Sequence, residues 1–347
     1  MDKPTLAGFM DPRILELIIL PTEQCNFRCT YCYEDFEIGQ MPANTVEAIK
    51  LLISKRLPKI QRLVLSWFGG EPLMAKALVY ELNEFAQREC TKAGVEFTSN
   101  MTTNAFGLDR ATFDNLCRLG MLQYQISLDG EEEVHNKTRK LVSGRGSFNK
   151  IWNNLLAMRE SSAQFYVKLR VHVHGTNLDS VNQLIVRLNA AFGNDPRFFI
   201  FFKAVGNWGG ESVKSMGLIK DSAEVIAGFE AQLESWGWFA ARPYAKNVRP
   251  FHPCYAAKPT SFVIRADGSL AKCTVAFNDA RNRIGHLNDD GTLQIENEKM
   301  RTFMRGFEDG NESALHCPMK GMAAMDEVKV IKFEKRTPVA EIAVQSA

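Results

Sequence analysis

Three cysteines fall within eight residues, in the run Cys25-Asn26-Phe27-Arg28-Cys29-Thr30-Tyr31-Cys32. Thiolates spaced C-x3-C-x2-C can converge on one metal centre. Structural zinc takes four ligands. A four-iron cluster also has four irons to ligate, so three thiolates leave one iron open to a non-protein ligand. A second set, Cys254, Cys273 and Cys317, lies in the last third of the chain. Cys90 and Cys117 fall on helical stretches and read as packing residues, since free cysteine packs well in cores. Eight cysteines in all could form four disulfides, but residues 1–20 carry no signal peptide. Asp2, Asp11 and Glu16 interrupt any apolar run there, and Pro4 and Pro12 break it. No stretch reaches ~18 apolar residues, so no membrane span is expected. A cytoplasmic chain with clustered cysteines binds metal more often than it forms disulfides.

The elements that must position these residues come from the periodicity. The chain has 347 residues, enough for about two domains at roughly 150 residues each. Lys and Arg number 42 against 40 Asp and Glu, and a net charge of +2 gives no case for a nucleic-acid or membrane-surface partner. Apolar, β-rich runs occur at Ile14–Leu20, Arg62–Phe68, Val95–Met101, Leu122–Leu128, Phe165–Val173 and Phe198–Phe202. Amphipathic helical stretches alternate with them at roughly 43–57, 74–93, 108–119, 147–160, 177–191 and 221–237. Asn44, Asp109, Ser147 and Asp221 stand near helix starts as caps. Six strand–helix units predict a parallel sheet, because parallel strands need crossover connections. The fold expected is α/β, a partial (β/α)6 barrel of the TIM type, with its site at the C-terminal ends of the strands. Beyond residue 238, prolines punctuate a loop-rich region. Ser261–Arg265 and Leu270–Val275 then read as a hairpin, with Asp267-Gly268 as a type I′ turn signal. A short helix follows over 296–307. The division drawn is residues 1–238, a small C-terminal domain over 239–335, and a tail over 336–347.

The first cysteine run resembles the fingerprint of the radical S-adenosylmethionine (radical SAM) superfamily. That fingerprint is a C-x3-C-x-aromatic-C loop after the first strand of a partial barrel, matched by Cys25, Cys29, Tyr31 and Cys32. The resemblance implies a [4Fe–4S] cluster whose open iron chelates SAM. It also implies reductive cleavage of SAM to a 5′-deoxyadenosyl radical that abstracts a substrate hydrogen. Tyr31 would lie near the adenine. Gly69-Gly70-Glu71-Pro72, at the end of the second strand, matches the GGEP motif of the family. Glycines let backbone approach a ligand closely, and Glu71 could pair with the SAM ammonium. Thr102-Thr103-Asn104 and Ser127-Leu128-Asp129-Gly130 end the third and fourth strands as in relatives, placing Asn104 and Ser127 as SAM contacts. His135, Arg139 and Gly144–Phe148 continue the pattern, with Asn136 where an Asp is usual. Arg139 is either a SAM-site residue or a structural ion-pair partner.

The second cysteine set resembles the opening of a SPASM/twitch domain, which carries auxiliary Fe–S clusters. Three thiols support one auxiliary cluster and not two. The fourth ligand would be His252, His286, His316 or a substrate atom.

The fifth strand alternates strictly. Val167, Leu169, Val171 and Val173 share one face, and Lys168, Arg170, His172 and His174 the other. The apolar face should pack on helices and the polar face should line the barrel interior. Arg170 is expected as a SAM carboxylate or substrate contact and His172 as a substrate-side group. Lys203, Asn207 and Trp208, after the sixth strand, are candidates for the substrate wall. The resemblance implies an oxidising enzyme that installs a C–C or thioether crosslink in a ribosomally synthesised peptide. Its partners would be that peptide, with or without a separate leader-recognition protein, and a reductant such as flavodoxin or ferredoxin. The alternative is a dehydrogenase of a small molecule such as a sugar, an aminoglycoside or a nucleoside. Sulfatase-type maturation is weaker, because Thr274 follows Cys273 where those relatives carry an Asp. A non-catalytic metal scaffold would not be expected to keep the GGEP and SLDG motifs.

Overall fold

In the computed structural model, β1 (Ile14–Ile19), β3 (Arg62–Trp67), β4 (Glu96–Thr103), β5 (Met121–Leu128), β7 (Tyr166–Val173) and β8 (Phe198–Ala204) form parallel neighbours in that order. The residues described are 8–208, 213–238 and 253–322. The helices that cross over between the strands are α1 (Ala43–Arg56), α2 (Lys76–Ala93), α3 (Arg110–Arg118), α5 (Phe148–Arg159) and α6 (Leu178–Phe192), and α7 (Ser222–Ser235) follows β8. This is the partial barrel expected from the alternating periods.

Each helix buries one stripe against the sheet. In α1 the stripe is Val46, Ile49, Leu52 and Ile53, and in α2 it is Leu78, Val79, Leu82, Ala86 and Cys90. Burial of such a stripe supplies most helix stability in proteins. The outward face of β7 packs the same way, with Val167, Leu169, Val171 and Val173 all buried. Trp67, at the end of β3, is buried with its indole N–H donated to Asn83 Oδ1 and Ser99 Oγ, 3.1 and 3.2 Å away. No helix among the described residues is long and apolar enough to cross a membrane.

The C-terminal strands join the same sheet. β9 (Ser261–Ile264) pairs parallel with β1, and β10 (Ser269–Ala271), β11 (Arg283–Leu287) and β12 (Leu293–Ile295) follow antiparallel. Helices α8 (Asn297–Asp309) and α9 (Glu312–His316) close the described chain. The boundary drawn at 238/239 meets the edge of the described residues, and the tail over 336–347 lies outside them. The hairpin turn differs from the type I′ expectation. Gly268 has φ +81° but Asp267 does not have positive φ, and Gly268 N–H donates to Arg265 O. This is a type I turn followed by a left-handed glycine. β10 also ends earlier than expected, because the N–H groups of Lys272 and Cys273 turn to Asn282 Oδ1 at 3.0 and 2.8 Å.

A two-stranded ribbon was not legible in the sequence. β2 (Phe27–Cys29) pairs antiparallel with β6 (Arg139–Leu141), which follows the short helix α4 (Glu132–Thr138). Of the expected caps, Asp109 accepts from Thr112 N–H, whereas Asn44 is not a cap and reaches Asp289 instead. Ser147 and Asp221 stand at the cap positions of α5 and α7 without a side-chain cap bond. The capping acceptor at α5 is Asn136 Oδ1, which takes the N–H groups of Ser147 and Phe148 at 2.8 and 3.0 Å. An Asn caps as well as the Asp usual at this position. Asn136→Ala should therefore cost about 1–2 kcal/mol, and Asn136→Asp should retain wild-type stability, both read from denaturant unfolding.

Candidate active site

A cavity opens at the C-terminal ends of the strands, where such folds place their chemistry. It is lined by Cys25, Cys29, Cys32 and Tyr31 from the loop after β1, and by Gly69 and Gly70 after β3. Asn104, Ser127, Arg139, Arg170, His172, Lys203 and Trp208 complete the set that the sequence singled out, beside Thr102 and Thr103 of the same motif run. The residues it did not single out include Tyr33, Glu34, Phe68 and Val205.

The cysteine loop is held by close backbone packing. Gly70 N–H donates to Thr22 O and Glu71 N–H to Gln24 O, 3.3 and 3.0 Å away. A Cβ on Gly69 would stand 2.5 Å from Thr22 O, and one on Gly70 would stand 2.3 Å from Gln24 O. The glycines thus admit the chain's own loop as well as bordering the cavity. Asn104 Nδ2 donates to Asn26 Oδ1 at 2.8 Å, fixing the residue beside Cys25. From the other side, the β2–β6 ribbon sets Cys29 opposite Arg139.

Glu71 differs from its expectation. Its carboxylate is 2% exposed and does not line the cavity. It accepts from Leu73 N–H and Thr103 Oγ1 through one oxygen and from Asn104 N–H through the other, at 3.0, 2.7 and 2.7 Å. These bonds occupy it as a brace between the loops after β3 and β4. Pro72 starts the short 3-10 turn behind it.

The Tyr31 hydroxyl is the hub of a buried polar network. It donates to Asp129 Oδ1 at 2.9 Å and stands 3.1 Å from His172 Nδ1, while Arg139 Nη1 donates to it at 2.8 Å. Asp129 is fully buried and also bonds His172 Nδ1 and Thr138 Oγ1, 3.0 and 2.6 Å away. Burial alone would raise Asp129, but the bond from His172 and the Arg139 charge outweigh it and hold the carboxyl low. Burial brings His172 down to about 4, so it is neutral at pH 7 and its Nδ1–H donates. His135 is likewise buried and neutral, brought down to about 3. It pairs with Ser147 Oγ at 3.1 Å, which is a structural role.

Other side chains carry unspent capacity. The Nε atoms of Arg139 and Arg170 are buried with no hydrogen-bond partner among the described residues. Glu34 Oε1 is in the same state, and burial, then the Glu23 charge, pushes that carboxyl up to about 8. Buried groups of this kind cost free energy unless a ligand satisfies them. Lys203 and Trp208 border the opening, with Trp208 60% exposed. Lys168 and His174 share the face of Arg170 but lie outside the cavity. Lys168 sits over Phe199 and Phe201, and His174 Nδ1 pairs with Thr176 Oγ1 at 3.0 Å. Asn207 is not among the lining residues.

The thiols suit a cluster better than a single ion. Burial pushes Cys25 up to about 12 and Cys29 to about 11, and it raises Cys32 as well. Each thiol feels the charge of a neighbour, and Phe27 N–H already points at Cys25 Sγ from 3.3 Å. Structural zinc takes four protein ligands, whereas a four-iron cluster held by three thiolates keeps one iron open to a non-protein ligand.

Residues 19–188 match the family model described as the radical SAM superfamily. The chain belongs to the radical SAM superfamily. Its cofactors are a [4Fe–4S] cluster and SAM. The chain is 32% identical over 123 residues to a GTP 3′,8-cyclase of Rhodococcus opacus, covering 35% of this chain and 33% of that one. It is 30% identical over 166 residues to a cysteine-type anaerobic sulfatase-maturating enzyme of Clostridium novyi, covering 44% and 42%. The chain thus spans under half the length of these relatives. Among solved structures, anSMEcpe with bound AdoMet superposes with a TM-score of 0.67 at 18% identity, covering 84% of each chain. The same protein with AdoMet and the Cp18Cys peptide gives 0.65 at 20% identity, covering 83% and 80%. These likenesses establish the fold.

Two substitutions test the site's construction. Gly70→Ala forces the two loops apart and should cost about 1–3 kcal/mol, with loss of bound iron after anaerobic reconstitution. Tyr31→Phe strips a partner from buried Arg139 and Asp129 and should cost about 1–3 kcal/mol, measured as a lower denaturation midpoint.

Proposed function

We propose that this radical SAM enzyme oxidises a peptide substrate and installs a C–C or thioether crosslink. The observation that carries the reading is the convergence of three half-buried thiols and two partly unsatisfied guanidinium groups on one cavity at the strand ends. Cys25, Cys29 and Cys32 hold the cluster. Gly69, Gly70, Ser127 and Arg139 border the place for SAM, with the Tyr31 ring beside the adenine. Asn104 and Glu71 act behind them, fixing the loops. Bound there, the cluster and SAM supply a 5′-deoxyadenosyl radical that abstracts a substrate hydrogen. Arg170, His172 and Lys203 face the substrate. Arg170 offers a charged donor to an anionic group, and neutral His172, oriented by Asp129, keeps Nε2 free to accept.

Cys254, Cys273 and Cys317 are assigned to one auxiliary cluster. Cys254 feels the charges of Cys273 and Cys317, so the three stand near one another. Leu315 O accepts from Cys254 N–H at 2.7 Å, which ties the segment before β9 to α9. Of the candidate fourth ligands, His252 lies outside the described residues. His286 sits over Gly268 at the hairpin turn, the far end of β10 from Cys273. His252, His316, next to Cys317 in the chain, and a substrate atom remain as candidates.

The peptide reading draws support from the fold shared with anSMEcpe, which has been seen with a peptide. Formylglycine formation is disfavoured at Thr274. Its hydroxyl pairs with Tyr255 OH at 2.7 Å and cannot replace a carboxylate base. The similarity to a GTP 3′,8-cyclase keeps oxidation of a small molecule as the second reading.

Anaerobically reconstituted protein with SAM and dithionite should form 5′-deoxyadenosine, and Cys32→Ala should abolish it. Failure of the wild-type protein to bind iron and form this product would overturn the reading. Replacing Cys254, Cys273 and Cys317 together by Ala should remove roughly half the iron if both clusters hold four irons, while SAM cleavage persists. A crosslinked peptide would be two hydrogen masses lighter than its precursor.

A further inference from the structure

The outer face of the β2–β6 ribbon carries an arrangement that neither the fold nor the cavity uses. The ribbon's inner positions are Phe27 and Cys29 on one strand and Arg139 and Leu141 on the other. Side chains alternate along a strand, so Arg28 and Lys140 point outward, directly opposite each other, and both are exposed. Like charges in that register are destabilising. Neither has a salt bridge among the described residues, and Arg145, in the turn that follows β6, has none either. Some exposed cations of this part of the chain are paired, as in Lys137–Glu133 and Arg110–Asp114, while Arg118 and Lys150 form no salt bridge among the described residues. Arg28 is held in place over the Phe36 ring at 4.3 Å, with Nη1 donated to Cys25 O and Phe27 O. Val142, 58% exposed, adds an apolar contact at the edge of the patch. The ribbon is one residue thick. Arg28 precedes Cys29, and consecutive Cα atoms lie about 3.8 Å apart.

We propose that this face, built on Arg28, Lys140 and Arg145, is the docking surface for an acidic one-electron carrier protein. The inference rests on the radical SAM reading, since cleavage of SAM needs one electron. The donor is oxidised by one electron, and SAM is reduced to methionine and the 5′-deoxyadenosyl radical. An unpaired basic patch costs the free chain self-repulsion and is relieved when an acidic face covers it. It also steers such a partner, and steering weakens with salt. Its position behind Cys29 brings the donor against the cysteine loop, on the face opposite to the one whose Phe27, Cys29 and Arg139 line the cavity.

The test uses an acidic flavodoxin hydroquinone as donor and dithionite as a small-molecule control, both on reconstituted holoenzyme. In Lys140→Glu/Arg145→Glu, neither side chain bonds to the cysteine loop. This variant should form 5′-deoxyadenosine with dithionite within twofold of wild type, and at least tenfold more slowly with flavodoxin. Arg28→Gln should lower the flavodoxin rate in the same direction. Binding of flavodoxin, followed by calorimetry, should weaken with ionic strength for wild type and much less for the double variant. Equal flavodoxin rates and equal, salt-independent binding in variant and wild type would overturn the docking surface. Loss of the dithionite reaction in wild type would instead overturn the radical SAM reading.

Discussion

The contact between two stretches of backbone, Thr22–Gln24 and Gly69–Gly70, conditions everything around the cavity. Without side chains at 69 and 70, the end of β1 and the end of β3 come close enough to exchange N–H···O bonds. That contact delivers Cys25 to the rim at a fixed height. Glu71 then reaches under the rim to the next strand, and Asn104 returns from that strand to Asn26. A motif that looks like a ligand-binding signature is therefore first a device for joining three loops. Its carboxylate is consumed in the joining.

A second constraint comes from burying charge. Asp129 and Arg139 are almost without solvent, and a buried ion without a partner would cost several kcal/mol. Tyr31 stands between them and bonds to both. Burial above all keeps His172 neutral, and the charges of Arg170 and Arg139 act in the same direction. The site thus presents a rigid back wall. Arg170, Lys203 and Glu34 line other parts of the same cavity.

The barrel was legible because its signals are long. Six runs of apolar residues and six amphipathic stretches each extend over several residues, and β7 reveals both its faces by strict alternation. The cysteine spacing located the cavity equally well. The β2–β6 ribbon was hidden because three-residue strands carry no period. The fate of Glu71 was hidden because a motif names a residue without naming which way it points. Arg139 had been left open between ligand and ion-pair partner, and the structure gives it features of each: a bond to Tyr31, and an Nε with no described partner. The type I turn at Asp267-Gly268 was misread because Asp-Gly serves several turn types. Only the sign of φ at the first residue separates them.

Glu23 is buried at the base of the cysteine loop and accepts both Nε and Nη2 of Arg265, at 3.1 and 2.5 Å, from the turn between β9 and β10. With β9 paired along β1, the strand leading to the first thiol set and the hairpin leading to Cys273 belong to one continuous sheet. Hinged modules can vary the gap between their redox centres, and so gate electron exchange by motion. Here the spacing is set by hydrogen bonds between strands. Any exchange between the two thiol sets would run at a fixed tunnelling distance, and its rate would follow driving force and reorganisation energy.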